Sequence, residues 1–480
     1  MSYELASGSP LVSSDQRSWK KSIWVLLAVV AASATYLLID TRFVYLLVYA
    51  WFGVAYGVLL QYGRFCMASA IRDLFAVGVP RMAVGVLIAI ILYAIISAFI
   101  QDAGFNSFHA HPLGWHVLIG GLIFGLGMVL SGGCASSSLY KTGEGNLGGV
   151  LVLFSISFSQ AWIVSSTGWL DAWVPSSWAA NAAAADMPAE LAITEGWFDQ
   201  FTAGYLWTLS GTTLAVYLEL PANLWGYLFG NAVLVAVLPA LVILLLLYRF
   251  NYRKMYVRQH PAVQPGIGYE LKGLWSMFTQ SRNTALAGLG LGILAGLQML
   301  VTGELREYYN VFNFGELLLQ MGFSDGLSLQ DSVFDPGYWY ITTQEAQWAG
   351  WALESAGVEM RDNLFFGLEN GLPNPLLNAP GMMSIGIILG AAVIALTRGE
   401  FKWKWPNAET ALLAIVGGAL MGIGSRLGMG CNIGAFFATV TNGDASGWIF
   451  LLGMTLGGYL SVKVLKYWIE WRLNRSVVDF

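Results

Sequence analysis

Apolar residues fall along this chain in long runs, and the short stretches between them hold nearly all of the charge. The runs lie at 22–40, 43–60, 81–100, 114–131, 147–168, 224–248, 283–301, 380–397, 408–428 and 447–465. A helix rises about 1.5 Å per residue and needs about 20 residues to cross a bilayer, so the pattern predicts roughly ten transmembrane helices. Trp and Tyr gather near many of the run ends, where interfacial anchors belong. Two regions depart from the pattern. Residues 203–219 are apolar but short, and 338–370 are amphipathic and aromatic; re-entrant and interfacial segments both fit them.

Composition agrees with lipid as the solvent. The chain has 480 residues, 56% hydrophobic and 11% charged, with a mean hydropathy of +0.60. A soluble domain carries about 25% charged residues, so this one lacks the polar surface to face water on all sides. The net charge of −5 comes with no basic stripe, which excludes nucleic acid as a partner. The N-terminus lacks the form of a cleavable signal, and Ile23 to Ile39 reads as a retained membrane helix. Basic residues set the orientation. Arg17, Lys20 and Lys21 precede the first run; Arg249, Arg253, Lys254 and Arg258 follow the sixth; Arg398, Lys402 and Lys404 follow the eighth; Lys463, Lys466, Arg472 and Arg475 close the chain. An even number of crossings puts all four groups on one side, so both termini are expected in the cytoplasm. The opposite side receives acidic loops, with Asp171, Asp186, Glu190, Glu195 and Asp199 in one and Glu304, Glu307, Asp325, Asp331 and Asp335 in another.

Two of the three cysteines follow the same approach. "LSGGCASSS" begins at Leu130 and "LGMGCNIGA" at Leu427. Gly121, Gly125, Gly127, Leu130, Gly133 and Cys134 match Gly418, Gly422, Gly424, Leu427, Gly430 and Cys431 without a gap, the mark of an internal duplication. A weaker echo pairs Cys66 with Ser355 and Arg72-Asp73 with Arg361-Asp362. The charge count gives the two cysteine segments opposite orientations, which is an inverted repeat. The fold class is therefore an all-α polytopic membrane protein whose broken or re-entrant helices form an inverted repeat. The division is a cytoplasmic N-terminus 1–21, then a first transmembrane repeat 22–168 with Cys66 and Cys134. An external insertion, an additional span and a basic cytoplasmic loop occupy 169–282. A second repeat with its own external insertion and Cys431 occupies 283–465, and a cytoplasmic C-terminus 466–480.

Glycine pairs end each apolar run just before its cysteine. A helix broken there and restarting at Cys134 would aim free N–H groups and a positive dipole end at a path for an anion. On such a helix Cys134, Ser137, Ser138 and Lys141 share a face by i, i+3, i+4 and i+7 spacing, and Gly133 and Gly430 free the backbone beside the two thiols. Near Cys66, Arg64 and Arg72 mark a membrane boundary and also draw an anion toward a thiol. Metal binding and cofactor binding are not expected, because the histidines are not interleaved with the cysteines. Absence of a C-x-x-C pair weighs against a thiol-redox enzyme, the alternative class, and no catalytic residue is assigned. A polarisable thiol suits a sulfur-containing anion better than a hard oxyanion.

At "RFCMASAIRDLF" (64–75), "GLGMVLSGGCASSSLYKTGEGN" (125–146) and "GIGSRLGMGCNIGA" (422–435) the chain resembles the YeeE/YedE family of inner-membrane sulfur transporters. The resemblance implies thiosulfate uptake along a central path on which Cys66, Cys134 and Cys431 lie. It also implies a small TusA-type sulfur-carrier protein as cytoplasmic partner. Relatives linked to selenium share the motifs, so a selenium or other sulfur compound is the alternative substrate. Residues 169–222 and 302–379 are longer than the compact family pattern.

The charge pattern yields one direct test. A cysteine introduced at Lys254 should resist an impermeant thiol reagent added to intact cells and react after permeabilisation. Labelling from outside intact cells would invert or break the proposed topology.

Overall fold

The computed structural model describes residues 19–105, 115–165, 213–260, 266–311, 314–323, 341–358 and 374–478. The acidic stretch 171–199, His109, His111 and Arg361-Asp362 lie outside the described residues. Within them the regular structure is helical, and one isolated bridge joins Asn146 to Lys404. The long helices are α1 (Trp19–Ile39), α2 (Val44–Gly63), α3 (Met67–Val77), α4 (Arg81–Asp102), α5 (Trp115–Leu130), α6 (Ala135–Gly143) and α7 (Leu147–Ser165). They continue as α8 (Leu224–Gln259), α9 (Ile267–Thr279), α10 (Arg282–Tyr309), α11 (Ile341–Ser355), α12 (Ala379–Thr397) and α13 (Ala408–Leu427). The last two are α14 (Asn432–Thr441) and α15 (Ser446–Val478). Nine helical stretches among the described residues are long and apolar enough to cross a membrane, and α7 is a shorter apolar helix. Every one of the ten apolar runs is thus a helix. The short 203–219 run contributes a single turn, Leu214–Tyr217, and the amphipathic region supplies α11.

Local chemistry fixes several ends. Asn378 and Asn407 cap α12 and α13 by accepting the N–H groups of Gly381 and Thr410 at 3.0 and 2.8 Å, as short polar side chains do at helix starts. α8 runs past its apolar part into a basic end, and α9 folds back beside it. There Arg253 donates to Glu270 at 2.7 and 2.9 Å, and Tyr248 donates to the same carboxylate at 2.7 Å. The Arg253 guanidinium, with help from Tyr248, holds the Glu270 carboxyl below its usual range.

Small residues bring the helices together, as they must where lipid gives no hydrophobic drive for association. α5 and α13 lie antiparallel, with Gly120 opposite Gly424 and Gly428 and Gly127 opposite Gly417. Gly121 and Gly125 of α5 sit on the Phe450 and Met454 carbonyls of α15, while Gly418 and Gly422 of α13 sit on the Val152 and Ile156 carbonyls of α7. A side chain at these positions would strike backbone. The glycines matched in sequence therefore make matched contacts in space. Other helices repeat the rule: α2 packs on α12 as α10 packs on α4, α3 on α15 as α11 on α7, and α1 on α12 as α8 on α4. Ser355, paired in sequence with Cys66, ends α11 and gives its hydroxyl to Trp351 O, whereas Cys66 starts α3. That weak echo is out of register in the fold.

Candidate functional site

α5 ends because Gly132 adopts φ +71°, a left-handed conformation that costs an L side chain about 1–2 kcal/mol. The chain turns there, Cys134 is extended (φ −88°, ψ 175°), and α6 begins behind it. The second half arrives at the same shape by another route. Met429 and Gly430 take positive φ, and Cys431 is extended at φ −84°, ψ −174° before α14. Cys66 does likewise at φ −150°, ψ 120°, after Arg64 ends α2 in the left-handed region. Each cysteine is thus the cap residue of a helix, its carbonyl accepting the first helical N–H. The distances are 3.1 Å for Ala70 to Cys66, 2.9 Å for Ser138 to Cys134 and 2.8 Å for Ala435 to Cys431. All three thiols are free and buried.

Cys66 and Cys134 are neighbours, close enough for a charge on either thiol to act on the other. The Cys134 Sγ lies 3.3 Å from Ser136 Oγ, and Cys431 Sγ accepts the Ile433 N–H at 3.4 Å. Met67, Ser136 and Asn432, from the first turns behind the three cysteines, border one mostly apolar cavity of about 60 Å³. That is room for a few waters or one small anion. Tyr56 and Gln298 reach the same cavity, joined by a 2.8 Å hydrogen bond.

The face expected at 134, 137, 138 and 141 forms, but most of its donors turn inward. The Ser137 and Ser138 hydroxyls each donate to Cys134 O at 3.0 Å, and the Lys141 ammonium donates to Gly132 O at 2.6 Å. These groups brace the helix break: the two hydroxyls add to the helical N–H already on Cys134 O, and the ammonium takes the Gly132 carbonyl. Lys141 still brings a positive charge within influence of Cys66. Arg72 points elsewhere, bound to Asp73 at 2.9 Å and near Ser69. Arg64 is the arginine that closes this end of the molecule. It reaches the buried Glu144 at 3.1 Å and Glu400 at 2.8 Å, and Gln61 donates to Glu400 at 2.8 Å. This network ties the ends of α2 and α6 to the α12–α13 connection. Sequence reading missed Ser136, Tyr56, Gln298 and Asn432. Gln298, a polar residue inside an apolar run, carried a signal that could have been used.

A family model described as sulphur transport matches residues 62–460. The chain belongs to this family, the YeeE/YedE sulfur transporters. It is 27% identical over 420 residues to a protein named thiosulfate transporter TsuA from Spirochaeta thermophila, covering 86% of this chain and 97% of that one. Identity to the Escherichia coli thiosulfate transporter TsuA is 25% over 408 residues, 84% of this chain and 90% of the relative. A probable transporter YedE from Escherichia coli is 29% identical over 127 residues, 26% of this chain and 32% of its own length. The family match spans all three helix breaks and their cysteines.

Gly133 gives a prediction about the site's construction. A methyl group there would lie 2.8 Å from Ser137 Oγ and 2.9 Å from Lys141 Nζ, so both must leave the carbonyls they serve. Gly133→Ala should cost about 1–3 kcal/mol and lower the melting temperature in detergent. A variant as stable as the parent would show that the brace is dispensable.

Proposed function

We propose that this protein is a multi-pass inner-membrane carrier, not an enzyme, that takes up thiosulfate or a closely related sulfur anion. In the proposed order the anion meets Cys431 first, then Cys134 and Cys66, and leaves past Lys141 and the Arg64 network. The termini lie in the cytoplasm, lipid surrounds the bundle, and a small TusA-type sulfur-carrier protein is the cytoplasmic partner. The observation that carries this reading is the convergence of three cysteine-capped helix starts on one cavity.

Gly133 and Gly430 belong to the path as the residues that let the backbone approach it. At each start, N–H groups of the first turn lack helical acceptors and favour negative charge. The thiols add weak S–H donors and polarisable sulfur. No single contact is strong, which suits a path: binding must be favourable enough to enter and weak enough to leave. Ser136 extends the polar edge beside Cys134. Ser137, Ser138 and Lys141 act through the brace, with Lys141 also supplying charge. Arg72 has the smallest part, since its guanidinium is committed to Asp73.

Uptake of labelled thiosulfate into proteoliposomes tests the reading, with selenite, sulfite and sulfate as competitors. Cys134→Ser nearly conserves volume and replaces soft sulfur with harder oxygen. It should insert normally and lose uptake by at least about tenfold, a barrier change of about 1.4 kcal/mol. Cys431→Ala should rank next among single changes and Cys66→Ala third. Normal uptake by correctly inserted Cys134→Ser protein would remove the thiol from the mechanism, and stronger competition by selenite would move the substrate to selenium.

A further inference from the structure

α11 is polar where a membrane protein rarely affords polarity. Thr342, Gln344, Glu345 and Gln347 are all buried in its first two turns, and the helix is packed among α7, α12, α13 and α6. Two of the four have evident partners. Gln347 accepts from Asn378 at 3.0 Å. Gln344, with its amide nitrogen turned toward α12, donates to Ser384 Oγ at 2.7 Å and Pro380 O at 3.2 Å. Glu345 is different. It is 1% exposed, and neither carboxyl oxygen has a hydrogen-bond partner among the described residues. An ionised carboxylate buried without a partner is strongly disfavoured, so the resting group is the neutral acid.

α11 packs against α6, which follows the Cys134 turn, and against α13, which precedes the Cys431 turn. Cys431 is close enough for its thiol to feel a charge on Glu345. Beside Cys431, Asn432 is 1% exposed, borders the central cavity, and also has both amide atoms without hydrogen-bond partners among the described residues. Two buried side chains with unused polar atoms, one at the Cys431 turn and one on a helix packed against α13, suit a site that is complete when a polar guest arrives. Other charges do not complete it. α7 and α12 carry no ionisable side chain. On α13, Glu409 is paired with Arg472 at the far end, and Arg426 makes no hydrogen bond to Glu345. On α6, Lys141 is engaged with Gly132 O, and Tyr140 makes no hydrogen bond to Glu345. On α11 itself, Glu354 lies nine residues further on.

We propose that Glu345 is the proton-binding group of the transport cycle, so that anion and proton pass this point together. This rests on the transport reading above. A sulfur dianion at the Cys431 turn disfavours a negative charge on Glu345 and favours the neutral acid, so the anion enters with Glu345 protonated. The proton comes from external water and forms an O–H bond on Glu345. It is released to cytoplasmic water when the anion has left and water has replaced it, and the carboxylate re-forms transiently before the next loading. No electrons move and no bond in the anion changes. An acid-outside gradient then works against the inside-negative potential that opposes dianion entry. The sign follows from the group: transport gains from external protons and weakens as the outside becomes alkaline.

Proteoliposomes held at zero membrane potential separate the two levels of this claim. Exchange of labelled for unlabelled thiosulfate at equal pH tests transport itself; its absence in the unaltered protein overturns the transport reading and this inference with it. Given exchange, each pH unit of acid-outside gradient should raise steady-state accumulation by up to about tenfold. In Glu345→Gln, which copies the neutral shape and cannot ionise, the ratio of accumulation with and without the gradient should fall to about one, whatever the absolute rate. Glu345→Asp, still ionisable, should keep a gradient effect. A Gln variant driven by the gradient as well as the parent would overturn the proposal, as would exchange without any gradient effect in the parent. Should the Gln variant fail to reconstitute, the parent alone decides. Thiosulfate entry must acidify the lumen as read by a trapped pH dye, and entry without acidification contradicts the role of Glu345.

Discussion

Backbone that stops being helical inside a membrane leaves amide groups that water cannot serve, so it must be braced by protein or face a wet cavity. The rest of this structure follows from meeting that constraint at three places. At the break behind Gly132, Lys141 takes the Gly132 carbonyl, and Ser137 and Ser138 add their hydroxyls to the Cys134 carbonyl. First-turn N–H groups have no helical acceptor, which gives such a break a polarity suited to anions. Cys431 and Cys66 stand at equivalent helix starts, so three such starts surround one cavity.

Close helix packing makes such breaks affordable in the interior. α5 and α13 approach through their glycines, and each then seats a further glycine pair on the carbonyls of the helix that follows the other's break. The two broken segments therefore hold each other in opposite directions. On the proposed topology, one cysteine opens toward the outside and the other toward the cytoplasm. At the α6 end Arg64 joins Glu144 and Glu400, placing a charged network two residues from Cys66. Glu345 on α11 has no such ion pair among the described residues.

Much of this was legible in the sequence, for identifiable reasons. Span positions follow from length and apolarity, because lipid permits few alternatives. The breaks before Cys134 and Cys431 were visible because glycine spacing repeats. The break before Cys66 was not, since Arg64, a non-glycine residue, takes the left-handed turn there. Nor could spacing tell which way the donors on α6 point. Sharing a face placed Ser137, Ser138 and Lys141 together, but the local carbonyls compete with any ligand for their protons. Arg72 and Arg64 were equivalent as charges near Cys66, and only the fold shows that the first is held by its neighbour Asp73. Glu345 lay in a segment whose amphipathic pattern fitted a re-entrant and an interfacial helix equally. Its burial depends on α7, α12 and α13, which are distant in sequence.

The central claim is that the sulfur anion passes in contact with the three cysteine-capped helix starts. Ligand protection of the thiols measures this most directly. The unaltered protein in liposomes would be treated with a small membrane-permeant alkylating reagent, and each cysteine followed by peptide mass spectrometry. Thiosulfate should slow modification of Cys66, Cys134 and Cys431, and sulfate at the same concentration should not. Protein that transports thiosulfate while Cys134 is alkylated equally fast with and without it would contradict the account.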